Sequence, residues 1–146
     1  MQLTDFAAVL FWLFIIYSLA IIIKELRYPN DSDIFKKYFL PGLTIKLLGA
    51  FAFDVIYMFY YGGGDTLAYY HLSQGLYEAF FFRPMAAFQV LLTNAGQSSY
   101  YIDDITRSMQ HFFSESGTFM VVKICAIFNL FTYNSFWATS LLFAFV

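Results

Sequence analysis

The feature that most constrains this chain is an uncharged apolar run close to its first residue. Positions 6–23 (FAAVLFWLFIIYSLAIII) contain no charged side chain, and eighteen such residues are about the length that a helix needs to cross a bilayer core. The flank before the run, MQLTD, has no Lys or Arg and no small-residue cleavage site follows, so a secretory signal peptide is not favoured. The run predicts a transmembrane helix over residues 6–23.

Composition extends this interpretation to the whole chain. Of its 146 residues, 60% are apolar and 12% are charged, whereas soluble domains average about 45–50% apolar and about 25% charged. Twenty Phe and twelve Tyr are more aromatic side chains than a small soluble globule can cover. The net charge of −2 gives no basic field for nucleic acid. The expected partner is therefore a lipid bilayer, with no nucleic acid, and the single Cys125 is predicted to be a packing residue.

A second span is predicted over residues 38–61, where two charges, Lys46 and Asp54, interrupt the apolar sequence. Eight residues of helix rise about 12 Å, so a direct ion pair between the two is not expected. Lys46 can extend toward the basic residues before the span. Asp54 needs another partner, which is either a structural hydrogen bond to a neighbouring helix or a functional polar site.

The last apolar stretch, residues 118–146, has a polar middle. It predicts a helix to about Thr132, a tight turn at Tyr133 and Asn134, and a second helix that is cut off; one long tilted helix is the alternative. A second helix of thirteen residues is too short to span a bilayer. Because the chain ends in hydrophobic sequence, we expect it to be the amino-terminal piece of a larger membrane protein.

The distribution of cations predicts the orientation. The connection 24–37 contains four Lys and Arg residues, whereas residues 62–117 contain two arginines and five acids. Cations mark the cytoplasmic side, so the loop 24–37 is predicted to be cytoplasmic. The amino terminus and the loop 62–117 are then extracytoplasmic, in a bacterial-type inner or plasma membrane.

The long loop opens with three glycines and Asp65. The glycines permit positive φ, and Asp65 is predicted to cap a helix over residues 66–82 that ends at Arg83-Pro84. Further helical segments are predicted at 85–92 and 98–113. The first helix has an apolar and a polar side, and all three segments are expected to lie along the outer membrane surface as amphipathic helices. The two sides of the first helix are Leu72, Leu76, Ala79 and Phe80, and His71, Gln74 and Glu78.

The fold class predicted by these segments is all-α. The chain is expected to be a polytopic helical membrane protein with one membrane domain, 1–146, and amphipathic surface helices in one extracytoplasmic loop. Each polar candidate in the loop also has a structural interpretation: Asp65 as a helix cap, Tyr70 as interfacial aromatic, His71 as a surface residue. Asp65 and His71 leave a divalent metal open but do not establish one.

Two segments of this sequence carry a family resemblance. They are GGGDTLAYYHLSQGLYEAF at 62–80 and SGTFMVVKICAIFNLFTYNSFWATSLLFAFV at 116–146. Over residues 45–146 the chain resembles the amino-terminal part of polytopic GT-C glycosyltransferases, which take sugars from polyprenyl-phosphate donors on the extracytoplasmic face. In that superfamily a catalytic acid follows a transmembrane helix, two membrane-lying helices come next, and a helical hairpin follows. In this chain the acid follows the second predicted transmembrane helix, so an additional helix precedes the matched region.

The resemblance implies a reaction and a set of site residues. Asp65 would be the general base on an acceptor hydroxyl, and lipid phosphate would be the leaving group, stabilised by Lys123, Arg83 or a metal. Tyr70 and His71 would bind acceptor or phosphate. A piece of this size is expected to be inactive by itself.

Two non-enzymatic hypotheses compete with the transferase. A helical subunit of a transporter or envelope assembly would use Lys46 and Asp54 as an ion or proton path. A small structural membrane protein would be complete at 146 residues.

Overall fold

Helices make up all the regular structure in the part of the chain that the computed structural model describes, which is residues 3–30, 34–95, 105 and 115–146. This confirms the predicted all-helical class. The segment predicted at 98–113 lies outside the described residues except for Ile105, which is buried. The helices are α1 (Leu3–Arg27), α2 (Ile34–Phe59), α3 (Asp65–Phe82), α4 (Pro84–Leu92), α5 (Ser116–Thr132) and α6 (Phe136–Phe145).

Two of these helices, α1 and α2, are long and apolar enough to cross a membrane. They contain 25 and 26 residues, which corresponds to about 38 Å of helix. Both reach further into the connection between them than the predicted spans 6–23 and 38–61, because α1 continues to Arg27 and α2 begins at Ile34. Large apolar side chains on both helices are exposed, for example Phe14 and Ile45. These features indicate that the chain associates with a membrane.

By the contacts among its residues, the chain divides into two compact units. The span unit comprises Met1–Tyr60 and Ser135–Val146, and the loop unit comprises Tyr61–Asn134.

In the span unit, α6 packs against both α1 and α2. Most of the side chains of α6 are buried, and the ring of Trp137 lies 5.2 Å from that of Phe51 on α2. Between α1 and α2, the Tyr17 hydroxyl lies 2.7 Å from the Thr44 hydroxyl oxygen. The short α6 therefore fills the interior of the span unit, while α1 and α2 carry its exposed apolar surface.

In the loop unit, α3 packs against α4 and α5 around one hydrophobic core. Tyr70, near the start of α3, contacts Asn134 just after the end of α5. Ser73, further along α3, contacts Asn129, which comes earlier in the chain. The two helices are therefore antiparallel. The apolar side of α3, which was expected to face lipid, is packed on protein instead. The buried core residues are Leu76, Ala79, Ala87, Val90, Ile105, Phe119, Val122 and Ala126.

The predicted turn between the last two helices is confirmed. Tyr133 and Asn134 both have positive φ, at 53° and 58°, and this left-handed pair ends α5. The stretch 118–146 is thus two helices and not one continuous helix. Taken together as a broken segment, α5 and α6 are apolar enough to count as a third candidate span.

Candidate functional site

The loop unit begins with a backbone that favours glycine. Gly62 and Gly64 have φ of 64° and 148°, values that residues with a Cβ rarely adopt. No atom lies within 4 Å of a Cβ built on Gly62, so conformation rather than space selects glycine there. These residues let the chain leave α2 and enter α3 within a few positions.

Asp65 is the first residue of α3 and does not cap it, contrary to the prediction. Gly64 holds the cap position, where its carbonyl accepts from the Ala68 N–H at 2.9 Å, and no side chain makes a capping hydrogen bond. The carboxylate of Asp65 is exposed, and within the described ranges no hydrogen bond or ion pair engages it. An acid in the first turn is favoured by the helix dipole. The side chain of Asp65 is therefore open to solvent.

Tyr70 and His71 follow one to two turns later on the same helix. Their rings are 5.6 Å apart. The Tyr70 hydroxyl donates to the carbonyl of Asn134, which attaches α3 to the end of α5, whereas His71 is exposed. His71 lies about 9 Å along the axis from Asp65 and on a different side of the helix.

A shared metal at Asp65 and His71 is not supported by this geometry. In the part of the chain that is described, no three His, Cys, Asp or Glu side chains come together in a way that could hold a metal ion.

Arg83 lies at the far end of α3 from Asp65. The helix has 18 residues, so about 27 Å of backbone separates the two. An arginine side chain cannot extend over that distance to a phosphate next to a sugar held at Asp65. Asp65 and Arg83, two of the residues that the resemblance implied, therefore lie at opposite ends of one continuous helix.

Lys123 is hydrogen-bonded to the end of α4. It is buried, with 9% of its surface exposed, and its ammonium donates to the carbonyls of Leu91, at 3.0 Å, and Thr93. The Phe119 ring centroid is 4.4 Å from Nζ. A cation at the last carbonyls of α4 satisfies acceptors that the helix leaves open. Lys123 thus stabilises the end of α4, where the sequence had predicted a phosphate contact.

The residues that sequence reasoning missed form a buried polar cluster between α3 and α5. Asn129 Nδ2 donates to Ser73 Oγ at 2.9 Å, and Ser73 Oγ donates to the Tyr70 carbonyl at 2.7 Å. Ser73 Oγ also lies 3.3 Å from the thiol of Cys125, which is buried as predicted. Both Ser73 and Asn129 are fully buried. The polar residue Asn129 within an apolar helix was the available signal, but its partner is 56 residues away.

The intramembrane pair of the sequence prediction lies in the span unit. Asp54 is 3% exposed, and its carboxylate accepts a hydrogen bond from the Ser140 side chain on α6. Lys46 is exposed. Asp54 therefore has the neighbouring-helix partner that its burial requires.

Comparison of the chain with protein-family models, with curated proteins and with solved structures gives no match.

Proposed function

We propose that this chain is the amino-terminal portion of an integral membrane glycosyltransferase that moves a sugar from a lipid-phosphate donor to an acceptor on the extracytoplasmic face. The observation that carries the proposal is Asp65. Its carboxylate is exposed, makes no capping bond, and opens a helix six residues after α2 ends at Phe59. An acid without a structural task, next to a candidate membrane span, is suited to chemistry on a substrate held at the membrane boundary.

In this reaction Asp65 is the general base. Its carboxylate takes the proton of an acceptor hydroxyl as that oxygen attacks the anomeric carbon of the sugar. The bond between the anomeric carbon and the phosphate oxygen breaks, and lipid phosphate leaves with the electron pair. Of the predicted accessory residues, His71 is exposed and on the same half of α3, so we assign it to acceptor binding. Lys123 and Arg83 are left out of this scheme. The ammonium of Lys123 is bonded to the end of α4, and Arg83 follows the far end of α3 from Asp65.

The neighbouring contacts explain how Asp65 is kept in place. Hydrogen bonds from Asn129 to Ser73 and from Tyr70 to Asn134 attach the first half of α3 to α5. Buried, satisfied polar contacts of this kind fix one arrangement of two helices. A general base on a fixed helix is already oriented toward its substrate, so less entropy is lost in the reaction than for a base on a mobile loop.

The proposal includes a topology. The chain is polytopic, with α1 and α2 crossing a bacterial-type inner or plasma membrane and the loop unit outside. The partners are the bilayer and the lipid-linked sugar donor. The competing role, a transporter or envelope subunit, depends on Lys46 and Asp54. Since Asp54 is hydrogen-bonded by Ser140 and Lys46 is exposed, we favour the enzyme.

The test uses membranes that contain the full-length protein. Polyprenyl-phosphate-linked glucose, mannose or N-acetylglucosamine, each radiolabelled, is presented separately, and label leaving the lipid fraction is measured. We expect transfer from at least one donor, and a loss of about 10²–10⁴-fold in Asp65→Asn.

The matched control is Glu78→Gln, which neutralises another exposed acid about 20 Å further along α3 and is expected to keep wild-type transfer. Normal transfer by Asp65→Asn at equal expression would exclude a catalytic role for this residue. Absence of transfer from every donor by the wild-type protein would contradict the class of enzyme.

A further inference from the structure

Helix α4 is apolar on both of its sides. Its inner side consists of Ala87 and Val90, which are fully buried in the core of the loop unit. Its outer side carries Met85, Phe88 and Leu92, which are 76%, 56% and 85% exposed. These three positions follow the i, i+3, i+7 spacing of one helix face. Helices that are apolar all round are normally covered on all sides, so the outer side of α4 needs a covering surface.

The exposed apolar surface continues into the last turn of α3. Phe81 and Phe82 are 64% and 82% exposed; together with the outer side of α4 they form what we call the outer patch (Phe81, Phe82, Met85, Phe88 and Leu92). Soluble proteins rarely leave a contiguous aromatic and aliphatic surface of this kind in water. The outer patch therefore marks an interaction surface of the loop unit.

We propose that the outer patch inserts into the boundary between lipid headgroups and acyl chains, and that Arg83 pairs there with lipid phosphates. The charge pattern supports lipid as the occupant. Arg83 is the one charged residue in the sequence from 79 to 95, so the segment that carries the patch has a positive charge suited to an anionic lipid surface. Arg83 is also exposed at the edge of the patch. A cation beside an apolar patch matches the two-part chemistry of a phospholipid.

A groove beside the patch has the same two-part character. It has a volume of about 400 Å³ and is lined by Arg83, Pro84, Met85, Ala86 and Gln89. The guanidinium can bind a phosphate oxygen and the Gln89 amide can donate to an ester carbonyl. The other lining residues, Pro84, Met85 and Ala86, are apolar. They suit the part of an acyl chain that lies next to the headgroup.

The proposed lipid contact lies at the end of the loop unit that is away from its chain connections. The loop unit is joined to the span unit at Tyr61 and at Asn134, and both connections are at the same end of the loop unit because α3 and α5 are antiparallel. The outer patch is at the other end of α3, about 27 Å away. It is the α3–α4 turn and the outer side of α4 that touch lipid; the predicted apolar side of α3 is occupied by the core.

The experiment measures lipid contact site by site and does not depend on transferase activity. The full chain is placed in phospholipid nanodiscs of phosphatidylcholine and phosphatidylglycerol, with a fluorescent label on Cys substituted for Phe88 or Leu92. Wild type is the labelling blank, since its Cys125 is buried. Glu78→Cys is the matched control on the exposed polar side of α3. Brominated lipids are then used to quench the label.

We expect brominated lipid to quench the labels at 88 and 92 at least two-fold more than the label at 78. In the Phe88→Cys protein, adding Arg83→Gln is expected to reduce quenching in discs with anionic lipid. Equal quenching at 78, 88 and 92 would overturn the proposal. Shielding of the label at 88 from aqueous iodide only in discs that hold two copies would also overturn it, by showing that a second chain covers the patch.

Discussion

The two units of this chain use apolar residues in opposite ways. In the span unit, large side chains of α1 and α2 are exposed and the short α6 is buried. In the loop unit, apolar residues form a core, while Asp65, His71 and Glu78 on α3 are exposed. An exposed apolar side chain is stable where the solvent is lipid, and a buried core is needed where the solvent is water. Apolar residues therefore face lipid in the span unit and form a buried core in the loop unit. The outer patch is the exception in the loop unit, since its apolar side chains are exposed.

The largest expected effect comes from shortening one apolar side chain in each unit. Leu76→Ala leaves a cavity in the core of the loop unit, where Leu76 is fully buried, and is expected to lower its unfolding free energy by about 2–5 kcal/mol. Ile45→Ala, on the exposed side of α2, is expected to change stability much less because lipid fills the space. Hydrogen exchange of α3 and α2 in nanodiscs measures both; equal losses would show that the two units are not built differently.

A smaller effect is expected from removing a cation in each unit. Lys123→Met leaves the carbonyls of Leu91 and Thr93 without their donor, and we expect a loss of about 1–3 kcal/mol with faster exchange at the end of α4. Lys46→Met removes an exposed cation and is expected to leave exchange in α2 nearly unchanged. If Lys123→Met exchanged like wild type, the structural assignment of Lys123 would be wrong.

The smallest effect is expected from a single hydroxyl of the span unit. Ser140→Ala removes the hydrogen bond to the buried carboxylate of Asp54, and a loss of about 1–2 kcal/mol is expected. Ser18→Ala is the matched control, since its hydroxyl donates only to the Phe14 carbonyl of its own helix. Thermal unfolding in nanodiscs compares the two. A Ser140→Ala protein as stable as Ser18→Ala would remove the case for Asp54 as a structural residue.

Local features of this molecule could be predicted from the sequence. The apolar runs gave α1 and α2, Arg83-Pro84 gave the end of α3, and the polar middle of the last stretch gave the turn at Tyr133 and Asn134. Each depends on residues within a few positions of one another, through helix length, the proline restriction or left-handed backbone.

The site could be predicted only in part, because its contacts are distant in sequence. Asp65 could be singled out because it follows a predicted span. The contact of Lys123 with α4 could not be predicted, because it joins residues about thirty positions apart. The separation of Asp65 from Arg83 follows from the length of α3 alone. The partner of Asp54 could not be predicted, since only the packing of α6 against α2 brings Ser140 to it.

The antiparallel packing of α3 and α5 has a consequence for how this protein can change over evolution and in the laboratory. The entry and exit of the loop unit are close together, since Asp65 is five residues from Tyr70 and Tyr70 bonds to Asn134. A unit whose two ends meet is a natural insertion, which can be lengthened, exchanged or removed without rethreading the rest of the chain. Residues 61–134 thus form an exchangeable module, inserted in the sequence between α2 and α6.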